Sequence, residues 1–286
     1  MGEKIGIAIS TCDRPEYLTK CIVSLQGVDA IICVCDDGHK KVDGIVPDNI
    51  HILRTKKPRS GVAVNKNMGF KYLLDEDCDY IFMLEDDCVV LDQSIFSKYI
   101  EASKVTGIQH FNFGPGSPWN RKQVDKSLKG DLSKRMDAKQ DGDPIPRLVI
   151  DYDPAGDVGI CLYEHVVGML SFFSREGLDE VGLYDEDFYN AWEHVEHTYR
   201  FIESNLTTPF WWFADIKNSE LYIEGQKDEK ANSSLAKNED EFNRLVHAGL
   251  AVFHNKHNTV PSNIQTVSKD VVINKLREIK NARTTV

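Results

Sequence analysis

The sequence predicts an α/β fold in which a mostly parallel central sheet is covered by helices on both faces. Three apolar runs carry this prediction: KIGIAIS at 4–10, AIICVC at 30–35 and YIFML at 80–84. None of them alternates with polar residues, which is typical of strands that are buried on both sides. Segments with helical spacing separate the runs, and alternating strands and helices favour parallel pairing.

Local signals place the other elements of the first half. Pro15 opens a helix that extends to about residue 26, because proline suits the first helical turn. A turn at 36–38 (Asp-Asp-Gly) ends the second strand. A short strand is expected at 50–54, and a helix is expected over 62–75, where apolar positions recur every three or four residues.

The second half of the chain is less regular. Strands are expected at 109–114, at 210–213 and, as a pair flanking a turn, within 159–174, and helices at 175–181, 189–204, 239–253 and 270–282. The segment 119–146 is polar and nearly free of aliphatic residues, so we expect a long mobile loop there. A second polar stretch covers 226–238.

Composition limits the classes of function. The chain has 286 residues, and its 34 Lys and Arg against 45 Asp and Glu give a formal net charge of −11, which argues against a broad basic surface for nucleic acid. No apolar run approaches the ~20 residues that span a bilayer, and the first residues lack the apolar stretch of a signal peptide. We therefore expect a cytoplasmic protein whose seven cysteines are reduced and buried.

Polar clusters follow three of the predicted strands, at 11–14, 36–37 and 85–87. Ligands of open parallel sheets bind beyond the carboxyl ends of the strands, so these clusters are expected to line one crevice. The three adjacent carboxylates at 85–87 repel one another and call for a compensating charge. A divalent cation fits, because Mg²⁺ and Mn²⁺ bind through one or two carboxylates plus substrate phosphates. A solvated acidic turn is the alternative for this triplet alone.

Five pieces of sequence in a fixed order resemble the GT-A fold glycosyltransferases, and most of all the inverting enzymes of family 2. The pieces are IAISTCDRPEYLTKCIVSL, VCDDGH, SGVAVNKNMGF, YIFMLEDDCVV and SFFSREGLDEVGLYDEDFYNAWEHVEHTYRF. They span about two-thirds of the chain, from residue 5 to about 201. The resemblance implies a Rossmann-like sheet and an enzyme that moves a hexosyl or N-acetylhexosaminyl group from a UDP-sugar to an acceptor hydroxyl.

The resemblance also implies which residues bind the donor. Thr11 and Arg14 match the family's first loop, near the base and the phosphates. Asp36 matches the aspartate that contacts uracil or ribose. Asn65 and Asn67 match polar positions at the start of a helix that in the family reads Gly-x-Ala-x-x-Arg-Asn-x-Gly.

The acidic triplet corresponds to the family's Asp-x-Asp motif, with Glu85 as a departure at its first position. Asp87 is then the expected ligand of Mn²⁺ or Mg²⁺, and Asp86 is counted with the donor-binding residues. Another departure is Lys66, which stands where the family has arginine and offers a point charge without the guanidinium fork.

The late motif of the family carries Glu-Asp at the start of a helix, where one carboxylate is the general base. Here Glu193 falls on the Glu, and His194 falls on the Asp. A neutral imidazole and a carboxylate with a raised pKa can both take a proton near pH 7. Both residues therefore remain candidates, with Glu193 preferred because the Asp position is the one that is lost.

GT-A enzymes often recruit a distant histidine as an additional metal ligand. His254 and His257 are the candidates here, and His257 is preferred because it adjoins Lys256, a partner for a diphosphate. Surface histidines near a loop are the alternative for both.

The resemblance predicts a GT-A domain at 1–225, with a nucleotide-binding half at 1–114 and an acceptor half at 115–225. A helical extension at 226–286 is expected to pack on it. The acceptor stays open among polysaccharides, other polymers, proteins and modified nucleic acids. Two other functions also stay open: a nucleotidyltransferase with a similar acidic metal site, and a non-catalytic module that binds nucleotide sugars.

Overall fold

The computed structural model describes residues 2–121, 142–152, 158–226 and 238–283. Its strands are β1 (Ile5–Thr11), β2 (Ile31–Asp36), β3 (His51–Arg54), β4 (Tyr80–Glu85), β5 (Cys88–Val90), β6 (His110–Asn112), β7 (Leu148–Asp151), β8 (Gly159–Tyr163), β9 (Leu170–Ser174), β10 (Phe213–Ile216) and β11 (Ile223–Gly225). Its α-helices are α1 (Pro15–Ser24), α2 (Val62–Asp75), α3 (Ser94–Thr106), α4 (Arg175–Val181), α5 (Glu193–Glu203), α6 (Glu239–His257) and α7 (Lys269–Arg283). Most of the predicted loop at 119–146 and most of the polar stretch at 226–238 lie outside the described residues.

The largest sheet contains six strands in the order β3-β2-β1-β4-β9-β6. The first four run parallel to one another, and β9 runs antiparallel between β4 and β6. Helices cover both faces, so the predicted α/β class with a mostly parallel sheet is confirmed.

Both faces of this sheet are apolar, which explains the unbroken hydrophobic runs. In β1, Ile7 and Ile9 belong to the core cluster that contains Leu18 of α1, whereas Ala8 belongs to the cluster that contains Phe70 of α2. Successive side chains of a strand point to opposite faces, so a strand buried on both sides needs an apolar residue at every position.

Two smaller sheets complete the described structure. One contains β10, β8 and β7 in antiparallel order, and the other pairs β5 with β11. The second pair starts directly after the acidic triplet and is extended by Gln226, whose backbone amide donates to the Asp87 carbonyl at 2.7 Å. A segment distant in sequence therefore braces the loop that follows β4.

Two predicted elements are corrected. The aromatic strand expected at 210–213 is wrong, because Trp211 is left-handed (φ 67°) and the strand begins only at Phe213. The helix expected from residue 189 begins at Glu193, since Ala191 (φ 65°) and Trp192 (φ 73°) are also left-handed and cannot continue a right-handed helix. The elements β5, β7, β11 and α3 were not predicted at all.

The last two helices both contact the rest of the chain. Val272, Leu276 and Ile279 of α7 join the core cluster that holds α1 and α3, and Phe253 of α6 joins an aromatic cluster with Phe188. All seven cysteines are buried. Among the described residues, none of the helices combines the length and the apolar character required to cross a membrane.

Candidate active site

The three polar clusters lie side by side at the carboxyl edge of the sheet. Parallel pairing places Thr11 beside Asp36 across β1 and β2, and it places Ser10 beside Glu85 across β1 and β4. The first residues beyond these strands therefore share one edge, as the strand pattern predicts.

Asp86 is fully buried and connects the first loop to the acidic triplet. Its Oδ2 atom accepts hydrogen bonds from Thr11 Oγ1 at 2.6 Å and from Arg14 Nε at 3.2 Å, and its Oδ1 atom forms an ion pair with the Arg14 guanidinium. Burial raises the pKa of Asp86 to about 7, although Arg14 and Thr11 favour the ionised form. The side chain therefore fixes Arg14 at the edge of the site.

Asp87 is held less firmly than Asp86. Its Oδ2 atom lies 3.8 Å from the Arg14 guanidinium, while its Oδ1 atom is buried without a hydrogen-bond partner in the described residues. Burial, together with the charge of Glu85, raises the pKa of Asp87 to about 6. A buried carboxylate oxygen without a donor is costly, and a cation is a partner that compensates it.

The metal-binding capacity of this edge is modest. In the described part of the chain, no group of three or more His, Cys, Asp or Glu side chains is arranged to hold a metal ion. Mg²⁺ and Mn²⁺ that bind together with a substrate diphosphate use only one or two carboxylates. The unpartnered oxygen of Asp87 and its hard-ligand chemistry fit such an ion.

Lys66 is the least expected feature of the site. Its side chain is fully buried in α2, and Nζ lies 2.8 Å from Glu85 Oε1 and 3.0 Å from Glu193 Oε1. Burial alone would lower the pKa of Lys66, but the two carboxylates raise it above its usual value. The ammonium thus joins the acidic triplet to the start of α5.

Glu193 is held in its ionised form. Burial opposes ionisation, yet the nearby Lys66 ammonium and the His194 ring together bring the pKa of Glu193 well below its usual value. The raised pKa that would suit a carboxylate base is therefore not found here. A carboxylate with a depressed pKa and an ion pair already formed is a weak proton acceptor.

His194 occupies the position next to Glu193 with its ring partly exposed. Its Nδ1 atom lies 3.3 Å from Glu193 Oε1, and no described residue hydrogen-bonds to Nε2. When Nδ1 carries the proton and donates a hydrogen bond to Glu193, Nε2 presents a lone pair. A carboxylate that orients an imidazole in this way also stabilises the imidazolium that forms when Nε2 takes a proton.

Gly168 separates the acidic triplet from the late motif. A Cβ atom at this position would lie 2.9 Å from Glu85 Oε1 and 3.3 Å from His194 Nδ1. The close approach leaves no room for a side chain. Gly168 therefore marks the place where the two halves of the candidate site meet.

Asp36 is already engaged at the edge of the sheet. Its Oδ1 atom accepts from the Gly38 backbone amide at 2.9 Å, and its Oδ2 atom accepts from Arg54 at 2.7 Å. The next residue, Asp37, was not singled out from the sequence, but its buried carboxylate accepts from Thr55, Ser60 and Gly61 and ties the loop before α2 to the end of β2. Only its position beside Asp36 in a turn signal pointed to it.

The two predicted asparagines of α2 have different surroundings. Asn65 donates to Ser10 Oγ at 2.9 Å, and its Oδ1 atom is buried without a hydrogen-bond partner in the described residues. Asn67 donates to the Tyr184 carbonyl at 2.9 Å and accepts from the Tyr184 amide at 3.0 Å. Asn67 thus clamps the backbone of another segment, and the donor contact predicted for it stays a prediction.

The two candidate histidine ligands lie at the end of α6. His257 Nε2 is 3.1 Å from Glu196 Oε1, whereas His254 is exposed. Lys256 pairs with Asp185 at 2.5 Å and with Asp187 at 2.9 Å. No metal-binding group in the described residues includes either histidine, so their metal contacts stay predictions.

The structure has the fold of the GT-A glycosyltransferases. Residues 1–349 of S. aureus TarS in complex with UDP share this fold, with a TM-score of 0.52, 10% identity and coverage of 99% of this chain and 72% of that chain. A longer TarS structure has a TM-score of 0.51 and 10% identity, and the match covers 99% of this chain and 44% of that chain. The mannosyltransferase PcManGT from Pyrobaculum calidifontis in complex with GDP-Man and Mn²⁺ has a TM-score of 0.50 and 10% identity. This match covers 100% of this chain and 88% of that chain. Identities this low establish the shared fold alone.

The sequence narrows the class further. Residues 6–146 match the model of glycosyl transferase family 2, which covers β1 to β6 and the acidic triplet. This match, which covers just under half of the chain, confirms the predicted resemblance to the family-2 glycosyltransferases of the GT-A fold. No curated protein gives a significant match.

Proposed function

We propose that the protein transfers a hexosyl or N-acetylhexosaminyl group from a UDP-sugar to an acceptor hydroxyl, with Mg²⁺ or Mn²⁺ and with inversion at the anomeric carbon. One observation carries the proposal. The Lys66 ammonium contacts both Glu85 of the acidic triplet and Glu193 of α5. It therefore connects the edge that can bind a cation to His194, whose ring Glu193 orients. TarS is named in complex with UDP, and PcManGT is named with GDP-Man and Mn²⁺, which supports a nucleotide-sugar donor and a divalent ion.

The donor side of the proposal rests on Asp87. Its unpartnered oxygen would hold the divalent ion, which when bound neutralises charge on the departing diphosphate. Arg14, fixed by Asp86 and only 3.8 Å from Asp87, adds a permanent positive charge beside the same phosphates. Asn65 precedes Lys66 in α2, and its Oδ1 atom is buried without a hydrogen-bond partner in the described residues. It remains a candidate for contact with the sugar donor.

The acceptor side of the proposal rests on His194. We assign the general base to His194 in place of Glu193, which the sequence alone favoured, because Glu193 is already bound to Lys66. Nε2 of His194 removes the hydroxyl proton of the acceptor, and Glu193 stabilises the resulting imidazolium.

The reaction is a single displacement. The acceptor oxygen forms a bond to the anomeric carbon while the bond from that carbon to the diphosphate oxygen breaks. Attack from the face opposite the leaving group inverts the anomeric configuration. The proton on His194 then passes to solvent, which returns the imidazole to its neutral form.

The decisive experiment incubates the full chain with a panel of UDP-sugars and Mn²⁺ and measures released UDP. We expect slow hydrolysis without acceptor and faster release with a hydroxyl acceptor. The Asp87→Asn variant is expected to lose the Mn²⁺-stimulated rate, whereas Glu101→Gln, an exposed change on α3, is expected to retain it. Pyrophosphate from UTP and a sugar phosphate would indicate a nucleotidyltransferase. Binding without turnover would indicate a non-catalytic module.

A further inference from the structure

A strained turn immediately precedes the helix that carries the candidate base. Ala191 and Trp192 adopt left-handed backbone conformations in succession, with φ of 65° and 73°. Residues with a Cβ atom rarely take this conformation even singly, because Cβ crowds the following carbonyl. Such a turn persists only where its surroundings over-determine it.

The turn sets the direction in which α5 begins. The carbonyl of Trp192 accepts the first helical hydrogen bond from the Glu196 amide at 2.8 Å. Glu193 and His194 are the next two residues, so a rotation at Trp192 displaces both of them. The contacts of Glu193 with Lys66 and of His194 with Glu193 therefore depend on this turn.

Helix α6 holds one side of the turn. The indole Nε1 of Trp192 donates to the Val246 carbonyl at 3.1 Å. At Gly249 an added Cβ atom would lie 2.9 Å from Trp192 Cδ1 and 3.0 Å from the Ala191 carbonyl oxygen. Real Cβ atoms essentially never come closer than 3.0 Å, so the approach of α6 to the turn requires a glycine at this position.

Helix α2 holds the other side. The Val62 amide, in the first turn of α2, donates to the Tyr189 carbonyl at 2.8 Å. Gly61, with φ of 113°, packs directly against Tyr189. The turn is thus clamped between the helix that carries Lys66 and a helix that lies outside the family-2 match at 6–146.

We propose that Gly249 and Trp192 are positioning residues for the transfer reaction: the close approach of α6 at Gly249 and the indole hydrogen bond of Trp192 hold the strained turn and thereby align His194 with its acceptor. This inference rests on the proposed function. It makes the predicted extension at 226–286 a working part of the catalytic centre.

The test compares Gly249→Ala and Trp192→Phe with Asn255→Ala, an exposed change on the same helix. Alanine favours the helix more than glycine does, so Gly249→Ala does not weaken α6 by itself. A displacement near 1 Å at a reacting group costs about 100-fold, and we expect kcat of Gly249→Ala to fall by about that factor. The donor KM and the affinity for UDP with Mn²⁺ are expected to stay within about twofold, which marks loss of transition-state alignment.

Trp192→Phe removes the Nε1 donor and makes the ring smaller, but it leaves Gly249 and the close approach of α6 in place, so a smaller fall in kcat with the same unchanged KM is expected. Asn255→Ala is expected to behave as the parent chain. Unchanged kcat in both variants, or equal losses of kcat and of UDP affinity, would overturn the proposal. Trp192→Phe keeps the inference testable if Gly249→Ala fails to fold.

A readout without turnover separates this inference from the proposed function. Amide hydrogen exchange at Glu196 reports the first hydrogen bond of α5. We expect faster exchange there in Gly249→Ala and Trp192→Phe and no change in Asn255→Ala. If the parent chain releases no UDP, the proposed function fails, while unchanged exchange in both variants overturns the clamp itself.

Discussion

Two groups of carboxylates lie within the same candidate site and differ in how their charge is compensated. Asp87 retains a buried oxygen without a donor, and its pKa is raised to about 6 by burial and by Glu85. Glu193 shares a buried ammonium with Glu85, and its pKa is lowered despite burial. We call the Lys66 side complete, because the chain itself supplies its compensating ammonium, and the Asp87 side incomplete, because one carboxylate oxygen there has no hydrogen-bond partner in the described residues. The difference separates a surface that receives a ligand from one that is already organised for proton transfer.

The largest effect is expected at the incomplete side. Asp87→Ala removes the carboxylate that would hold the cation, and since a metal ion supplies several kcal/mol of transition-state stabilisation, we expect a fall of about 10³-fold in Mn²⁺-stimulated UDP release. Because ionisation of Asp87 is unfavourable in the fold, the Tm is expected to stay unchanged or to rise. Kinetics with and without Mn²⁺, together with thermal unfolding, check both parts. Undiminished Mn²⁺ stimulation would show that another group binds the ion.

The next effect tests proton transfer on the complete side. His194→Ala is expected to lower kcat by about 10²-fold, the lower end of the usual range for a general base, while UDP affinity is retained. Glu193→Gln is expected to lower kcat less, because it removes the orienting carboxylate and leaves the imidazole in place. Steady-state kinetics and titration calorimetry with UDP and Mn²⁺ measure these effects. If Glu193→Gln abolishes turnover and His194→Ala does not, the base is Glu193.

The third effect tests how much the Lys66 ammonium stabilises the complete side of the site. Lys66→Met leaves buried Glu193 and partly buried Glu85 without their shared cation, and breaking a buried ion pair such as that of Lys66 with Glu193 costs about 3–5 kcal/mol. Urea unfolding at pH 7 measures the loss of stability. Lys71→Met on the same helix removes only an exposed pair with Glu186 and is the matched control, with an expected cost below about 1 kcal/mol. Equal losses for the two variants would show that Lys66 contributes no more than a surface lysine.

The smallest effect concerns a buried histidine behind α5. His110 is bonded to the Phe172 carbonyl and to Thr198 of α5, and burial lowers its pKa to about 3. Below its unfolded pKa of about 6.5, the unfolded chain takes up a proton that the folded chain does not, so this contribution to stability is lost as pH falls. At one pH unit below that value the loss is about 1.4 kcal/mol.

Urea unfolding of the parent chain and of His110→Gln at pH 7.5 and pH 5.5 tests this effect, since glutamine does not titrate. The parent is expected to lose more stability between the two pH values than the variant does. Equal losses would show that His110 takes up its proton at the same pH in the folded and unfolded chains.

The two sides of the site also differ in how far the sequence reveals them. The acidic triplet directly follows an unbroken apolar run, so strand pattern and parallel topology were enough to place it at the sheet edge. The elements β5, β7 and β11 are only three or four residues long and form through partners distant in sequence, so no local periodicity identifies them. Helix α3 carries buried apolar residues at helical spacing, among them Ile95 and Tyr99, so the sequence did contain a signal for this helix.

The late motif depends on contacts that no local pattern encodes. Glycine often marks a left-handed position in a sequence, but Ala191 and Trp192 are left-handed without being glycine. Contacts with helix α6 and Tyr189 hold this conformation, and they are visible only in the fold. The motif itself identified Glu193 and His194, but the contact between Glu193 and Lys66 joins residues 127 positions apart. The sequence alone therefore favoured Glu193, and the proposal of His194 as the base depends on the contact between Glu193 and Lys66 in the fold.

The burial of all seven thiols has a practical consequence. A sulfhydryl-specific dye reaches such groups only when the surrounding structure opens, so its reaction rate follows local or global unfolding. A cysteine introduced on the exposed face of a helix then becomes the single fast-reacting site. One spin label or fluorophore placed in this way can report the movement of helix α6 against the catalytic edge without any native cysteine being removed.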